Sequence, residues 1–258
     1  MKEYVLLTGA SSGIGYEMAN QLAAKKLNLI LVARTETKLQ QMQAELANKY
    51  GILVQYFVAD LSDVHAAIGL YKAVQQENYL VTALINNAGI GNYGNFTETP
   101  LEEELSMIQL NISSLVVLTK LFAKDMVSRK SGRIMNVSSL LAFLPFPYYS
   151  VYSATKAFVM AFSETLAAEL DGTGIIVTSL YPGTTDTGFT TDKMHSTNHY
   201  KSSKPMHPKM VAEQAVKHLL HGKGKKVVGF QNWFNSKLSS IVPDNIMMKI
   251  KKKLASQQ

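Results

Sequence analysis

The chain contains no cysteine. That excludes disulfides, thiolate metal centres and a cysteine nucleophile together, and it suits a reducing compartment. Charge is also sparse. Charged residues make up 17% and hydrophobic residues 47% of 258 positions, so the chain is not a disordered one and can build a large core. No leader pattern opens the sequence, because the first apolar run, residues 4–7, stops at Thr8-Gly9. No run approaches the ~18 apolar residues that a bilayer span needs. These absences predict a soluble, cytoplasmic protein without an integral membrane segment.

The chain alternates apolar, β-rich runs with helical patterns. Strands are expected at residues 4–7, 29–32, 54–58, 83–85, 133–137, 175–179 and 226–228. Most are continuously apolar, as strands covered on both faces are. Helical patterns fill residues 16–25, 36–49, 101–126 and 154–170, the third starting with Thr99 as N-cap and Pro100 as first helical residue. This alternation predicts an α/β fold, a doubly wound parallel sheet of about seven strands with helices on both faces, forming one domain over residues 1–258. Residues 184–208 are polar and irregular, and a loop of that length in a compact domain is usually functional or mobile. The net charge is +7, with lysines grouped at 223, 225 and 226 and at 249, 251, 252 and 253. We read these as a solvated face and an attraction for a polyanionic ligand, with no nucleic-acid partner.

Thr8-Gly9-Ala10-Ser11-Ser12-Gly13-Ile14-Gly15 follows the first strand and opens the first helix. Gly9 suits a tight turn, Gly13 an approach of backbone to a diphosphate, and Gly15 close packing of helix on strand. A diphosphate there would meet free N–H groups and the positive end of the helix dipole. The pattern therefore predicts dinucleotide binding. The second strand ends in Ala33-Arg34 rather than in a carboxylate, which would hold ribose hydroxyls and repel a 2′-phosphate. Arg34 instead offers a fork of donors to a phosphate.

Tyr152 and Lys156 stand four apart near the start of a helix, on one face. A free phenol titrates near ~10, so work as an acid or base near neutral pH needs a perturbation that an ammonium supplies. Ser139 lies at the carboxyl end of a strand, where ligands of such sheets bind. Asn111 lies inside a long helix, a poor place for asparagine by propensity. With TGASSGIG, Asp60-Leu61, Asn86-Asn87-Ala88-Gly89, Ser138-Ser139 and Pro182-Gly183, these motifs resemble the short-chain dehydrogenase/reductase family in order and spacing, over about residues 3–187.

That resemblance implies a Rossmann fold and hydride transfer between NADP(H) and a small-molecule carbonyl or alcohol. It makes Tyr152 the general acid/base and Lys156 the cation that lowers the tyrosine pKa and holds the nicotinamide ribose. Ser139, preferred over Ser138, becomes the ligand of the carbonyl oxygen, and Asn111 the holder of a relay water. Cofactor contacts would come from Gly9, Ser11, Ser12, Gly13, Ile14, Gly15, Arg34, Asp60, Leu61, Asn87, Ala88 and Gly89, with Tyr152 and Lys156. Pro182, Gly183, Thr185 and Thr187 would add the carboxamide segment, where Thr185 replaces the usual Val or Ile. Similar proteins pair through the helices of Asn111 and Tyr152, which implies a homodimer or homotetramer. The apolar segment at residues 140–149 would border the substrate pocket.

His195, His199, His207 and Asp192 do not make a convincing metal set, and no metal is expected. In the basic C-terminal extension, residues 230–258, Ile246, Ile250 and Leu254 share one helical face, which suits packing over the substrate loop or against another subunit better than a membrane surface. A dinucleotide-binding regulatory module without turnover would have lost Tyr152, Lys156 or Ser139, and all three are present. A nucleotide-sugar epimerase or dehydratase would carry a different glycine spacing and a longer substrate domain.

Overall fold

The computed structural model describes residues 2–190, 192–202, 204–238 and 244–255. Seven strands form one sheet: β1 (Glu3–Thr8), β2 (Leu29–Ala33), β3 (Val54–Val58), β4 (Leu80–Asn86), β5 (Gly132–Val137), β6 (Ile175–Tyr181) and β7 (Gly224–Val227). All pairings are parallel, in the order β3-β2-β1-β4-β5-β6-β7. The order reverses between β1 and β4, which opens a crevice at the carboxyl ends of the strands.

Side chains alternate across the strands, so the apolar runs build two cores. Val5, Leu7, Leu29, Leu31, Ile85 and Met135 face α1 (Gly13–Ala24), α2 (Glu36–Tyr50) and α9 (Pro208–His221). Tyr4, Leu6, Ile30, Val32, Leu84 and Ile134 face α3 (Val64–Gln76) and α5 (Leu115–Ser128). β2 is buried at every position, which explains its unbroken apolar pattern. The other helices are α4 (Leu101–Ile108), α6 (Ser150–Glu169), α7 (Asp192–His195), α8 (Asn198–Ser202), α10 (Phe230–Leu238) and α11 (Asp244–Ala255).

Several expectations change in detail. Helices α3 and α9 lie beyond those anticipated. The middle helix starts one residue late: Pro100 is the N-cap, and the Thr99 hydroxyl bonds Glu104 Oε1 at 2.7 Å. Between α4 and α5 the helix widens into a π-turn at Gln109–Ser114, which holds Asn111. Residues 184–208 are not irregular throughout, since α7 and α8 lie within them and Thr185 bridges to Met206.

Contrary to the expectation for membrane segments, Leu101–Ser128 is long and apolar enough to cross a bilayer. Counting uninterrupted apolar residues misses it because polar residues, among them Asn111, Ser114 and Thr119, break the run. All three are buried in protein: Ser114 donates to the Leu61 carbonyl at 2.6 Å, and Asn86 donates to Thr119 at 2.9 Å. Its α5 portion packs against α3, β4 and β5. Of the C-terminal face expected at residues 246, 250 and 254, the side chains of Ile246 and Ile250 lie outside the described residues.

Candidate active site

A cleft of about 550 Å³ runs across the carboxyl ends of β1, β4, β5 and β6. At one end, Gly9 turns the chain at φ 64°, a left-handed conformation that favours glycine. A Cβ on Gly15 would collide with the Gly9 carbonyl, so the turn admits no side chain there. Helix α1 starts with no side chain capping it and no acid in its first turn. Such an N-terminus is suited to an anion. Ser11, Ser12, Gly13 and Ile14 complete this floor.

Thr8 locks the turn to the neighbouring strand end. Its hydroxyl donates to the Ile85 carbonyl and accepts from the amides of Asn87 and Ala88, each at 3.0 Å. Asn87 Nδ2 returns to the Thr8 and Gly9 carbonyls. Arg34 borders the same end, exposed and without a hydrogen-bond or ion-pair partner among the described residues. Asp60 beside it is held below the usual carboxylate range, first by the Ser62 hydroxyl at 2.7 Å, then by the Ser62 amide, with a further contribution from Arg34. Leu61, Ala88, Gly89, Pro182, Gly183, Thr185 and Thr187 also line the cleft. Thr185 turns its hydroxyl onto the Gly183 carbonyl at 2.9 Å, and a Cβ on Gly13 would come within 3.1 Å of the Thr187 side chain. A glycine cradle, a helix N-terminus and an unpaired guanidinium at one end fit a dinucleotide carrying an extra phosphate.

The other end gathers Ser139, Tyr152 and Lys156. Ser139 lies two residues beyond β5, at the start of a short 3-10 turn, and hydrogen-bonds the Tyr152 phenol, while its Oγ accepts from the Leu141 amide at 3.2 Å. Ser138 points elsewhere and donates to the Lys156 carbonyl at 2.8 Å, tying α6 to β5. Lys156 Nζ donates to the Val137 carbonyl at 3.1 Å and lies 5.8 Å from the centre of the Tyr152 ring. Burial pushes Tyr152 up to about 12, opposed only by the Ser139 hydroxyl. Burial also pushes Lys156 down to about 8. The tyrosine thus moves opposite to the direction expected. Desolvation outweighs the one hydrogen bond, and the lysine spends its donor on backbone.

Asn111 does not line the cleft but sits one layer behind it. Its Oδ1 accepts from the Ile90 amide at 3.0 Å, and its Nδ2 donates to the Ile90 carbonyl at 2.9 Å and to Thr155 at 3.1 Å. The π-turn explains an asparagine inside a helix, since such turns distort the ladder and recur at functional sites.

Sequence reasoning missed Thr8, whose threonine-glycine signal was available, and Phe189, which has no local signal. Phe189 packs on the Tyr152 ring at 5.7 Å, in space left by Gly91. Of the apolar segment at residues 140–149, only Leu141, Phe146 and Tyr149 reach the cleft; Leu140 is buried, and Phe143 packs on Tyr181 at 4.8 Å. His195 bonds Thr190 at 2.6 Å, and His207 accepts from the Lys209 amide as the N-cap of α9. The side chains of His199 and Asp192 lie outside the described residues.

A family model for short chain dehydrogenases matches residues 3–198, and the chain belongs to that family. It is 39% identical over 178 residues to a very-long-chain 3-oxoacyl-CoA reductase of Pyrenophora tritici-repentis, covering 67% of this chain. The chain spans about half that relative's length, 52%. Against the reductase of the same name from Anas platyrhynchos it is 31% identical, covering 98% of this chain and 81% of the relative. Among solved structures, a short-chain dehydrogenase from Sphingobium yanoikuyae in complex with NADPH superposes with a TM-score of 0.81 at 27% identity, covering 95% of this chain and 97% of that one.

Proposed function

We propose that this chain is an NADP(H)-dependent oxidoreductase that interconverts a carbonyl and a secondary alcohol. The observation that carries the reading is the Ser139 hydroxyl bonded to the half-buried Tyr152 phenol in the same cleft that the glycine turn and Arg34 line. Gly9, Ser11, Ser12, Gly13, Ile14 and Gly15 would hold the diphosphate, Arg34 the 2′-phosphate, and Asp60 and Leu61 the adenine side. Asn87 to Gly89 and Pro182, Gly183, Thr185 and Thr187 would hold the nicotinamide half, together with Lys156. The NADPH-bound relative supports this choice. When bound, the cofactor supplies the hydride.

The residues do the rest. Ser139 donates to the substrate oxygen and steadies the charge that develops there. Tyr152, held above its ordinary pKa, is protonated at neutral pH and gives its proton to that oxygen. Lys156, charged below about pH 8, is the adjacent cation in the buried wall. Asn111 fixes the Ile90 backbone behind it. Leu141, Phe146, Tyr149, Phe189 and Met194 form an apolar wall that suits a carbonyl on an apolar acyl or ring body. The names of the reductase relatives point the same way.

We also place a two-fold subunit contact on α4 and α6. Leu101 and Leu105 are 65% and 51% exposed, and Phe158, which stacks on Phe162, is exposed as well. The lack of cysteine supports the cytoplasm as the compartment.

The decisive experiment follows NADPH oxidation against a panel of ketones and 3-oxoacyl thioesters, with NADPH binding read by fluorescence. Tyr152→Phe should lower kcat by ~10²–10⁴-fold and leave NADPH binding nearly intact. Near wild-type kcat would overturn the assignment. NADPH binding without turnover of any carbonyl in the wild type would favour a regulatory module.

A further inference from the structure

The C-terminal part of the chain differs electrostatically from the rest. Residues 222–258 carry eight lysines and one acidic residue, Asp244, so their net charge of +7 equals that of the whole chain and residues 1–221 balance to zero. Within this segment α10 packs one face against the domain. Asn232 donates to the Val228 carbonyl at 2.8 Å and fills the space beside Gly183 in the cleft wall, and Ser236 is buried.

The opposite face presents Phe230, Trp233, Phe234 and Lys237, spaced i, i+3, i+4 and i+7 along one strip. Phe230 is 80% exposed, and Trp233 and Phe234 about half, with the rings of Phe230 and Trp233 stacked at 5.9 Å. Lys223 and Lys225, beside and on β7, are exposed near the helix that packs on that strand.

We propose that α10 is a docking face for anionic lipid bilayers. Phe230, Trp233 and Phe234 would enter the boundary between headgroups and acyl chains, while Lys237 and Lys223 meet lipid phosphates. Rings on one strip with cations at its border match an interface that is apolar within and anionic above. A second copy fits this face less well, because a two-fold contact through α10 would bring two strongly positive segments together. The consequence is positional: with Asn232 against Gly183, docking brings the cleft close to a reservoir of apolar molecules. The proposal stands independently of which reaction the cleft performs.

Trp233 is the only tryptophan, so its emission reports on this face alone. The full chain is titrated with vesicles of phosphatidylcholine, with and without phosphatidylglycerol, and with brominated acyl chains as quenchers. Anionic vesicles should shift Trp233 emission to the blue, brominated chains should quench it, and salt should reverse both. Phe230→Ser with Phe234→Ser keeps the reporter and should weaken binding by about 10-fold or more per ring. Lys223→Gln with Lys237→Gln should weaken it by roughly 25-fold, about 5-fold per lysine. Far-UV circular dichroism and Tm confirm that each variant folds, and the lysine pair tests the proposal should the ring pair not fold.

Unchanged Trp233 emission with anionic vesicles overturns the proposal. So does vesicle binding that neither variant weakens, or competition by DNA without quenching by brominated lipid. A change of particle mass in the ring variant without vesicles also overturns it and assigns the face to a second copy.

Discussion

Lys156 is a cation that the fold keeps at a cost. Burial displaces it from 10.5 to about 8, so below pH 8 it is charged in both the folded and unfolded chain. At about 1.4 kcal/mol per pH unit, that displacement corresponds to roughly 3 kcal/mol of destabilisation while the charge is present. Replacing it with methionine, of similar length and uncharged, removes the penalty. The replacement also removes the bond to the Val137 carbonyl at 3.1 Å, and leaving that acceptor unpaired costs about 1–2 kcal/mol. The balance favours Lys156→Met by roughly 1–2 kcal/mol at pH 7, a rise in Tm of about 2–8 °C for a domain of this size.

The sign has a signature. Between pH 8 and 10.5 the unfolded wild type binds more protons than the folded one, so wild-type stability climbs with pH and the advantage of the variant shrinks. Above that window it is gone, and the lost hydrogen bond makes the variant the weaker protein. Urea unfolding of the ligand-free chain at several pH values measures this. A variant less stable than wild type at pH 7, or a gain that persists through pH 10.5, would show that burial of the ammonium is not what displaces it.

Three further outcomes are expected. Arg34→Ala should weaken NADPH binding by roughly 10- to 150-fold and leave NADH binding unchanged, since one charge-assisted contact is worth about 1.5–3 kcal/mol; fluorescence titration with both cofactors checks it, and equal wild-type affinities would sink the assignment. Ser139→Ala should lower kcat by ~10²-fold without affecting cofactor affinity, and should move the alkaline limb of the rate profile upward, because the only hydrogen bond holding the Tyr152 pKa down is lost. Light scattering should show particles of at least twice the 28.5 kDa chain mass, and Leu101→Glu with Leu105→Glu should halve them; a monomeric wild type would refute the pairing.

Much of the site was legible because it is local. The glycine turn between strand and helix and the i, i+4 pair Tyr152 and Lys156 are set by the dihedrals of a few neighbouring residues. Arg34 in place of an acid is likewise a matter of residue type at the end of β2. The strands were legible because burial on both faces leaves continuous apolar runs, as in β2. Boundaries were less so: β4 starts at Leu80, ahead of the expected residue 83, because its partner β1 offers pairing there. α3 and α9 each have an apolar stripe, but no motif in their sequence marks them out. The apolar length of Leu101–Ser128 was hidden by polar residues whose partners, Leu61 and Asn86, lie far away in sequence.

By itself the sequence determined the order of the strands, the glycine turn between β1 and α1, the arginine at the end of β2 and the i, i+4 pairing of Tyr152 with Lys156, since each depends on residue type and short spacing. Only the tertiary structure decided that Ser138 turns away to the Lys156 carbonyl, that Asn111 sits behind the wall on a π-turn, and that Phe189 packs on the phenol ring. It also decided that Tyr152 is pushed up and Lys156 down. The physical reason is that burial sums over elements far apart in the chain. Desolvation, and the choice between two adjacent hydroxyls pointing to opposite sides of an extended segment, exist only once β5, α6 and the loop after β6 have closed around them.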